Sequence, residues 1–191
     1  MNTIEINDTF KLASEFINTT DKSVFLTGKA GTGKTTFLNT LWQKISKKYI
    51  VVAPTGIAAV NANGVTIHSF FSLPLGPFLP GKSQPGTSID SNKKRLIKEL
   101  ELLIIDEVSM LRADTLDAID YVLRKTRKKE DVPFGGVQVL FVGDLCQLSP
   151  IIADEEWMQI KSYYNGINFL NALSVKKAPP LFLELTQVYR Q

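Results

Sequence analysis

The chain has 191 residues, 44% of them apolar, with a net charge of +3 and a sequence pI near 8.9. This length suits one domain with a substantial core, and the mild positive charge permits nucleic-acid binding without indicating it. The single cysteine, Cys146, excludes an internal disulfide, and with only His68 beside it no zinc cluster can form. Because no membrane span or secretory signal is recognisable, we expect a soluble intracellular chain.

Helical spacing and continuous apolar runs alternate along the sequence. Apolar residues over 10–17 predict a first helix, and residues 24–26 predict a short buried strand. The elements predicted after them are a helix over 33–48, a strand over 50–53, a helix beginning at 56, a helix over 93–100, a strand over 102–105, a helix over 113–128 and strands over 137–142 and 182–185. This order predicts an α/β fold of three layers, with a mainly parallel central sheet covered on both faces.

A segment rich in proline and glycine interrupts the alternation at about residues 72–90. Its helix- and strand-breaking residues are Pro74, Gly76, Pro77, Pro80, Gly81 and Pro85. Loops of this length are functional or partly disordered. We therefore predict a long loop or insertion here.

Residues 28–35 read GKAGTGKT and match the phosphate-binding pattern G-x-x-x-x-G-K-[ST] between a predicted strand and a predicted helix. Glycines let successive backbone N–H groups point at phosphate oxygens, and the helix start adds the positive end of its dipole. Lys34 would neutralise the β- and γ-phosphates, and the Thr35 hydroxyl would hold Mg²⁺. The candidate nucleotide-binding residues are Gly28, Lys29, Ala30, Gly31, Thr32, Gly33, Lys34, Thr35 and Thr36. The alternative is a glycine-rich turn that only packs a strand onto a helix, but the sequence favours a site for ATP with Mg²⁺.

Two carboxylates, Asp106 and Glu107, directly follow the buried strand over 102–105. That position is the carboxyl edge of the sheet, where open α/β folds bind ligands. Asp106 suits a magnesium ligand, and Glu107 suits a base that deprotonates an attacking water. An isolated Asp-Glu pair after a strand would more often be a solvated loop. Downstream of a phosphate loop, the pair indicates hydrolysis.

The strand over 137–142 leads into Gly143, Asp144 and Gln147. A glutamine at a strand end can both donate and accept hydrogen bonds, which suits it to sense a γ-phosphate. A structural cap is equally compatible with the spacing. Two basic clusters, over 93–95 and 124–129, lack interleaved aromatic residues, so solvated faces are favoured over nucleic-acid contacts.

The phosphate loop, the acidic pair and the Gly-Asp-x-x-Gln-Leu stretch together resemble motifs I, II and III of superfamily-1 DNA helicases. Residues 53–59 (APTGIAA) and 66–70 (TIHSF) resemble motif Ia and its neighbour in the petite-integration-frequency (PIF) helicases, relatives of RecD and Dda that translocate 5′ to 3′. Residues 108–138 are similar to that family's signature, and residues 184–191 (ELTQVYRQ) to motif IV. The resemblance covers nearly the whole chain and implies a RecA-like P-loop NTPase domain.

The resemblance also implies roles for individual residues. Gln147 would sense the γ-phosphate, and Arg190 would stabilise charge on the transferring phosphoryl group beside Lys34 and Glu107. The implied contacts to single-stranded DNA are Thr55, Gly56, His68, Ser69 and Phe70. From the residues alone, His68 is more simply a partly buried histidine. Phe70 and Phe71 could offer a stacking face for bases, but the sequence favours a core position for at least one of them.

Three features depart from the family pattern. Residues 7–11 contain no glutamine to read adenine, so the preference for ATP is less strict, and Ser149-Pro150 stands where two prolines are usual. Residues 1–191 would form the first RecA-like domain only, without the second one. The expected partners are single-stranded DNA and a C-terminal motor domain, with no membrane and no small-molecule substrate beyond the nucleotide. The resemblance places the protein in DNA repair, recombination and telomere maintenance, in a bacterial cytoplasm or otherwise in a nucleus.

Two other functions use a phosphate loop on an α/β sheet. A small-molecule or nucleotide kinase would need an acceptor pocket and lid arginines, and nothing in the sequence resembles them. A nucleotide-dependent switch would bind without sustained turnover. The acidic pair favours water as the acceptor and therefore a DNA-dependent ATP hydrolase.

Overall fold

The structure is a computed structural model that describes residues 8–29, 31–42 and 44–186. Six strands form one sheet in the order β3-β2-β4-β5-β1-β6, and every pair of neighbours is parallel. The strands are β1 (Val24–Gly28), β2 (Tyr49–Ala53), β3 (Val65–Thr66), β4 (Leu102–Ile105), β5 (Gln138–Gly143) and β6 (Leu181–Leu185). The predicted α/β fold with a parallel sheet is therefore confirmed.

Helices cover both faces of this sheet. They are α1 (Asp8–Thr19), α2 (Lys34–Trp42), α3 (Gly56–Asn61), α4 (Ile67–Phe71), α5 (Ser91–Glu99), α6 (Ala113–Arg127), α7 (Asp154–Ile160) and α8 (Leu173–Lys177). Successive strand residues point to opposite faces, so each strand contributes to two cores. Leu103 and Ile105 of β4 pack with α4, α5 and α6, whereas Leu102 and Ile104 pack with α1 and α2. Burial on both faces explains why the central strands are apolar without interruption.

Several short elements differ from the prediction. Helix α2 ends at Trp42 rather than near residue 48, and β3, α4, α7 and α8 were not predicted. These four elements have two to seven residues each, too few for a period to show. The loop prediction is confirmed, since no helix or strand lies between Ser72 and Asp90.

None of the helices described in the structure combines the length and the apolar character that a bilayer crossing requires.

Candidate functional site

The phosphate loop joins the end of β1 to the start of α2. Gly31 and Gly33 adopt positive φ angles of 81° and 87°, which glycine accepts without strain. At Gly28 a Cβ atom would lie 2.4 Å from the Thr32 hydroxyl oxygen and 2.8 Å from the Leu185 carbonyl oxygen. The loop therefore packs against β6 so closely that only glycine fits at Gly28. The predicted loop residue Ala30 lies outside the described residues.

The ammonium group of Lys34 lies inside the curve of this loop. Its Nζ donates hydrogen bonds to the carbonyl oxygens of Gly28, at 2.5 Å, and Lys29, at 3.1 Å. The Thr32 hydroxyl donates to the same Lys29 carbonyl at 2.8 Å. A cation held at the N-terminus of a helix, beside inward-facing backbone, is a physical basis for phosphate binding.

The acidic pair directly follows β4. The Glu107 N–H donates to Oδ1 of Asp106 at 2.9 Å, and Glu107 itself has φ 50° and ψ 43°. A non-glycine residue in this left-handed region is uncommon and is often found at functional sites. Burial raises the pKa of Asp106; the negative charge of Glu107 also raises it, whereas the Glu107 N–H and the Lys34 charge lower it. Asp106 is therefore a carboxylate that a bound cation would stabilise.

One cleft of about 450 Å³ connects these groups. Thr35 of α2, the acidic pair and Thr55 before α3 all line it. A hydroxyl oxygen and two carboxylates are hard oxygen ligands of the kind that Mg²⁺ prefers, together with phosphate oxygens. The residues present thus fit a magnesium–nucleotide complex, and the cleft extends from Thr35, the last residue of the phosphate loop, to Thr55, one of the candidate DNA contacts.

The turn after β5 carries Gln147. The carboxylate of Asp144, 6% exposed, accepts the Cys146 N–H at 3.0 Å and the Gln147 side-chain N–H at 3.1 Å. A Cβ at Gly143 would lie 3.0–3.2 Å from atoms of Val108 and the residue after it, so glycine allows β5 to approach the acidic segment. Because β5 lies between β4 and β1, the Gln147 turn stands between the acidic pair and the phosphate loop. Sequence analysis assigned no role to Asp144, which holds Gln147 in place.

The candidate DNA contacts lie at the starts of α3 and α4, along the same edge of the sheet. The Thr55 hydroxyl caps α3 by accepting the Ala58 N–H at 3.2 Å, and Gly56 is exposed with open space around it. Ser69 is exposed, and His68 is half-buried. Burial lowers the pKa of His68, and the positive charge of Arg112 lowers it further, so the ring is neutral near pH 7.

Phe70 does not present a stacking surface. Its side chain is 5% exposed and packs edge-on against Phe71, with ring centroids 4.9 Å apart. Both rings belong to the core between the sheet and α6. The expected base contact at Phe70 is corrected accordingly, because α4 turns both aromatic side chains inward. The other predicted catalytic cation, Arg190, lies outside the described residues.

Three buried aspartates on α6 were missed by the sequence analysis. Asp114, Asp117 and Asp120 are 1%, 5% and 4% exposed, and each accepts a backbone N–H from a different surface segment. Their spacing of three residues places them on one side of the helix. That spacing was visible in the sequence, but it is equally typical of a solvated face.

The basic cluster over 124–129 has structural roles. Arg127 donates to the carbonyl oxygens of Ile97, Lys98 and Leu100 at 2.8–2.9 Å and so caps α5. Arg124 pairs with Asp120 at 2.8 Å. The side chains of these two arginines thus bind groups of the same domain.

Comparisons with known proteins agree with this arrangement. A family model described as PIF1-like helicase matches residues 3–191. The ATP-dependent DNA helicase Pif1 of Psychrobacter sp. is 42% identical over 135 residues, which are 69% of this chain and 20% of that protein. The ATP-dependent DNA helicase PIF1 of Saccharomyces cerevisiae is 39% identical over 137 residues, 69% of this chain and 16% of that protein.

Solved structures of Bacteroides Pif1 match over nearly the whole chain. The complex with ADP-AlF4 has a TM-score of 0.94 and 44% identity, covering 99% of this chain and 44% of that chain. The complex with single-stranded DNA has a TM-score of 0.92 and 44% identity, covering 99% of this chain and 43% of that chain. This chain therefore spans less than half the length of these relatives.

Proposed function

Since this chain belongs to the PIF1-like helicase family, we propose that it is the ATP-binding and ATP-hydrolysing motor domain of a DNA helicase. The observation that carries the proposal is the continuous cleft lined by Thr35, Asp106, Glu107 and Thr55. It places groups suited to phosphate, metal and water chemistry beside groups suited to a nucleic-acid backbone. The relatives named for ATP-dependent DNA unwinding, and the structures with ADP-AlF4 and with single-stranded DNA, support the same assignment.

The phosphate loop would bind the triphosphate of ATP. Its backbone N–H groups and Lys34 would contact the β- and γ-phosphates, with the dipole of α2 adding to the attraction. Thr35 and Asp106 would hold Mg²⁺, which neutralises charge on the phosphates during transfer. The carboxylate of Asp106, already unfavourably buried, gains a counter-charge in that complex.

Glu107 would act as the base. Its carboxylate would orient a water molecule toward the γ-phosphorus and accept a proton from it as the new oxygen–phosphorus bond forms. The bond between the γ-phosphorus and the β,γ-bridging oxygen would break in the same step, so that ADP leaves and inorganic phosphate is formed. Gln147, held by Asp144 between the acidic pair and the phosphate loop, would contact the γ-phosphate and signal its loss. Arg190 would supply a further positive charge to the transferring group, as the family resemblance implies.

Single-stranded DNA would cross the edge of the sheet at α3 and α4. Thr55, Gly56, His68 and Ser69 would contact its backbone through hydroxyl, imidazole and backbone groups, which position a strand without reading its sequence. A neutral His68 can donate one hydrogen bond to a phosphate oxygen without adding charge. We propose that the motor translocates 5′ to 3′ along single-stranded DNA and that it acts on the DNA of the cell.

Unwinding would need the remainder of the protein. The relatives that this chain matches are more than twice as long. The family resemblance implies a motor in which two RecA-like domains close over one nucleotide. Residues 8–186 supply the loop, the acidic pair and Gln147, all on one side of such a site. We expect the 191-residue chain to bind nucleotide weakly and not to unwind DNA alone; robust strand displacement by it would refute this expectation.

The loop over 72–90 lies just after the candidate DNA contacts, so we place it near the point of strand separation. Deleting residues 74–84 from the complete protein should reduce unwinding while hydrolysis stimulated by single-stranded DNA persists. Parallel losses of both activities, or no loss of either, would contradict this placement.

The test of the function is steady-state ATP hydrolysis by the complete protein, with and without single-stranded DNA. Stimulation by DNA is the expected result for a motor. A phosphorylated small-molecule product would indicate a kinase instead, and negligible turnover under both conditions would indicate a switch.

A further inference from the structure

One hydrogen bond ties the 72–90 loop to α6. The Phe78 N–H donates to Oδ2 of Asp114 at 3.0 Å, and both groups are buried. Across the described part of the chain, this is the one hydrogen bond that joins residues 74–85 to any residue outside them. The other hydrogen bonds of residues 74–85 are internal, such as the Leu79 N–H to the Ser83 hydroxyl at 2.9 Å. Leu79 and Ile89 also pack on the core, and Asp114 supplies the hydrogen bond that orients residues 74–85 relative to α6.

Arg112 fixes the orientation of that carboxylate. Its Nε donates to Oδ1 of Asp114 at 2.9 Å, and its Nη2 donates to Oδ2 at 2.8 Å, which makes a bidentate pair. Such pairs restrict geometry as well as adding energy. The other guanidinium nitrogen pairs with Glu156 of α7. Held on both sides, Asp114 presents Oδ2 to the Phe78 N–H in one orientation.

The ion pair of Arg112 and Asp114 lies where the candidate site meets the 72–90 loop. Arg112 follows Glu107 after one 3-10 turn, Val108–Met110, and a single further residue. His68 of α4 and Asp114 line a common cavity of about 250 Å³ beneath the loop. The acidic segment, the DNA-contact helix and the loop thus meet at one buried ion pair.

We propose that Arg112 and Asp114 are positioning residues that hold the 72–90 loop in register with α4 and with the segment carrying the acidic pair. This inference rests on the proposed helicase function, because it concerns the use of hydrolysis for strand separation. When the acidic segment shifts during the nucleotide cycle, Arg112 and Asp114 shift with it, and the Phe78 N–H transmits that movement to the loop. Neither residue lines the cleft that Thr35, Asp106 and Glu107 share.

The decisive experiment compares Asp114→Asn with Asp117→Asn in the complete protein. Asparagine has one acceptor oxygen and one N–H₂ group, so at residue 114 it cannot accept both hydrogen bonds of Arg112, and the bidentate pair that fixes the orientation of the side chain is lost. Asp117 is an equally buried carboxylate one turn along α6, and it accepts the N–H groups of Leu173 and Ser174 rather than of the loop. Loss of global stability should therefore be similar in the two variants.

Unwinding and DNA-stimulated hydrolysis are measured for both variants. We expect base pairs opened per ATP to fall about tenfold in Asp114→Asn, since small misplacements have large kinetic effects. In Asp117→Asn the ratio should stay within about twofold of the parent, whatever its melting temperature. An equal fall in both variants, or no fall in Asp114→Asn, overturns the proposal.

Amide exchange supplies a readout that does not depend on helicase activity. In the complete protein, peptides covering residues 74–84 should exchange about tenfold faster in Asp114→Asn and unchanged in Asp117→Asn. If Asp114→Asn does not fold, Arg112→Lys, which keeps the charge but not the bidentate geometry, should show the same changes to a smaller degree. A parent protein without unwinding would refute the proposed function, whereas unchanged exchange at 74–84 would refute the anchor itself.

Discussion

Two groups of carboxylates lie within fifteen residues of each other and have opposite environments. Asp106 and Glu107 stand at the end of β4, half-buried, and among the described residues the Asp106 side chain accepts one hydrogen bond and makes no ion pair. Asp114, Asp117 and Asp120 are almost completely buried, and each is bound by two or three donors. Under the proposed function, this difference separates two roles. The carboxylates at the strand end have few partners in the chain and are available to a ligand, whereas the carboxylates on α6 are bound by the chain and hold its segments together.

The largest effect should come from the first group, at Glu107. Replacing Glu107 by Gln removes the base but keeps the shape, so DNA-stimulated hydrolysis should fall about 10²–10⁴-fold. Nucleotide affinity should change little, because Gln still fits the same space. The rate of hydrolysis is measured as phosphate produced over time, and nucleotide affinity is measured by equilibrium binding of a fluorescent ATP analogue.

Glu101→Gln is the matched control for that substitution. Glu101 precedes the same strand, β4, at the opposite edge of the sheet, and accepts the Lys48 N–H at 2.8 Å. Its replacement should leave turnover within about twofold of the parent, as for most surface substitutions. Full hydrolysis by Glu107→Gln would remove Glu107 from the base role and would place both carboxylates of the acidic pair in a binding role.

Substitutions in the second group, the buried aspartates of α6, should lower the stability of the fold rather than the rate of hydrolysis. Asp120→Ala leaves the buried N–H of Phe134 without its acceptor and Arg124 without its ion pair. Burial raises the pKa of Asp120, so ionisation is itself unfavourable there, but the stranded partners outweigh that relief. We expect a loss of about 2–4 kcal/mol in the free energy of unfolding.

Urea denaturation of the 191-residue chain measures this loss. Hydrolysis per folded molecule in the complete protein should be unchanged, in contrast to Glu107→Gln. A stable Asp120→Ala variant with reduced turnover would break the distinction between the two groups of carboxylates.

The same distinction explains what the sequence could reveal. Residues 28–35 and the pair Asp106-Glu107 follow buried apolar strands, and parallel strands bring their carboxyl ends to one edge, so local pattern was enough to predict that these groups lie together. The family resemblance added Gln147 and the α3 and α4 contacts. Local pattern also predicted the sheet, because its central strands are apolar on both faces.

The environments of the buried aspartates and of Phe70 could not be predicted, because they depend on residues far away in the sequence. Asp114 bonds a residue 36 positions away, and Asp117 bonds residues 56 and 57 positions away, so nothing near them in sequence marks them as buried. Phe70 sits on a five-residue helix, too short to show which face is apolar. Spacing alone could not tell a tethering aspartate from a solvated one.

The smallest effect is expected at Asp106, and it tests most directly whether the strand-end carboxylates differ from the buried aspartates of α6. Because its pKa lies above that of a free carboxyl, the folded chain binds more protons than the unfolded chain between the two values, and Asp106 lowers stability as pH rises through that window. Asp106→Asn removes this effect and keeps an oxygen for the Glu107 N–H. The melting temperature at pH 7 should therefore rise by about 1–3 °C without nucleotide.

The advantage of Asp106→Asn should shrink as the pH falls and the parent carboxyl takes up its proton, and should reverse when ATP and Mg²⁺ are added. The reversal follows because a ligand stabilises only the form that binds it, and the amide is a poorer magnesium ligand than the carboxylate. Thermal scans at several pH values, with and without ATP and Mg²⁺, test both signs. Asp114→Asn in the same scans should melt lower under every condition, because its partners come from the chain and no ligand replaces them. If Asp106→Asn also melts lower without nucleotide, then Asp106 stabilises the fold as Asp114 does, and the strand-end carboxylate is structural.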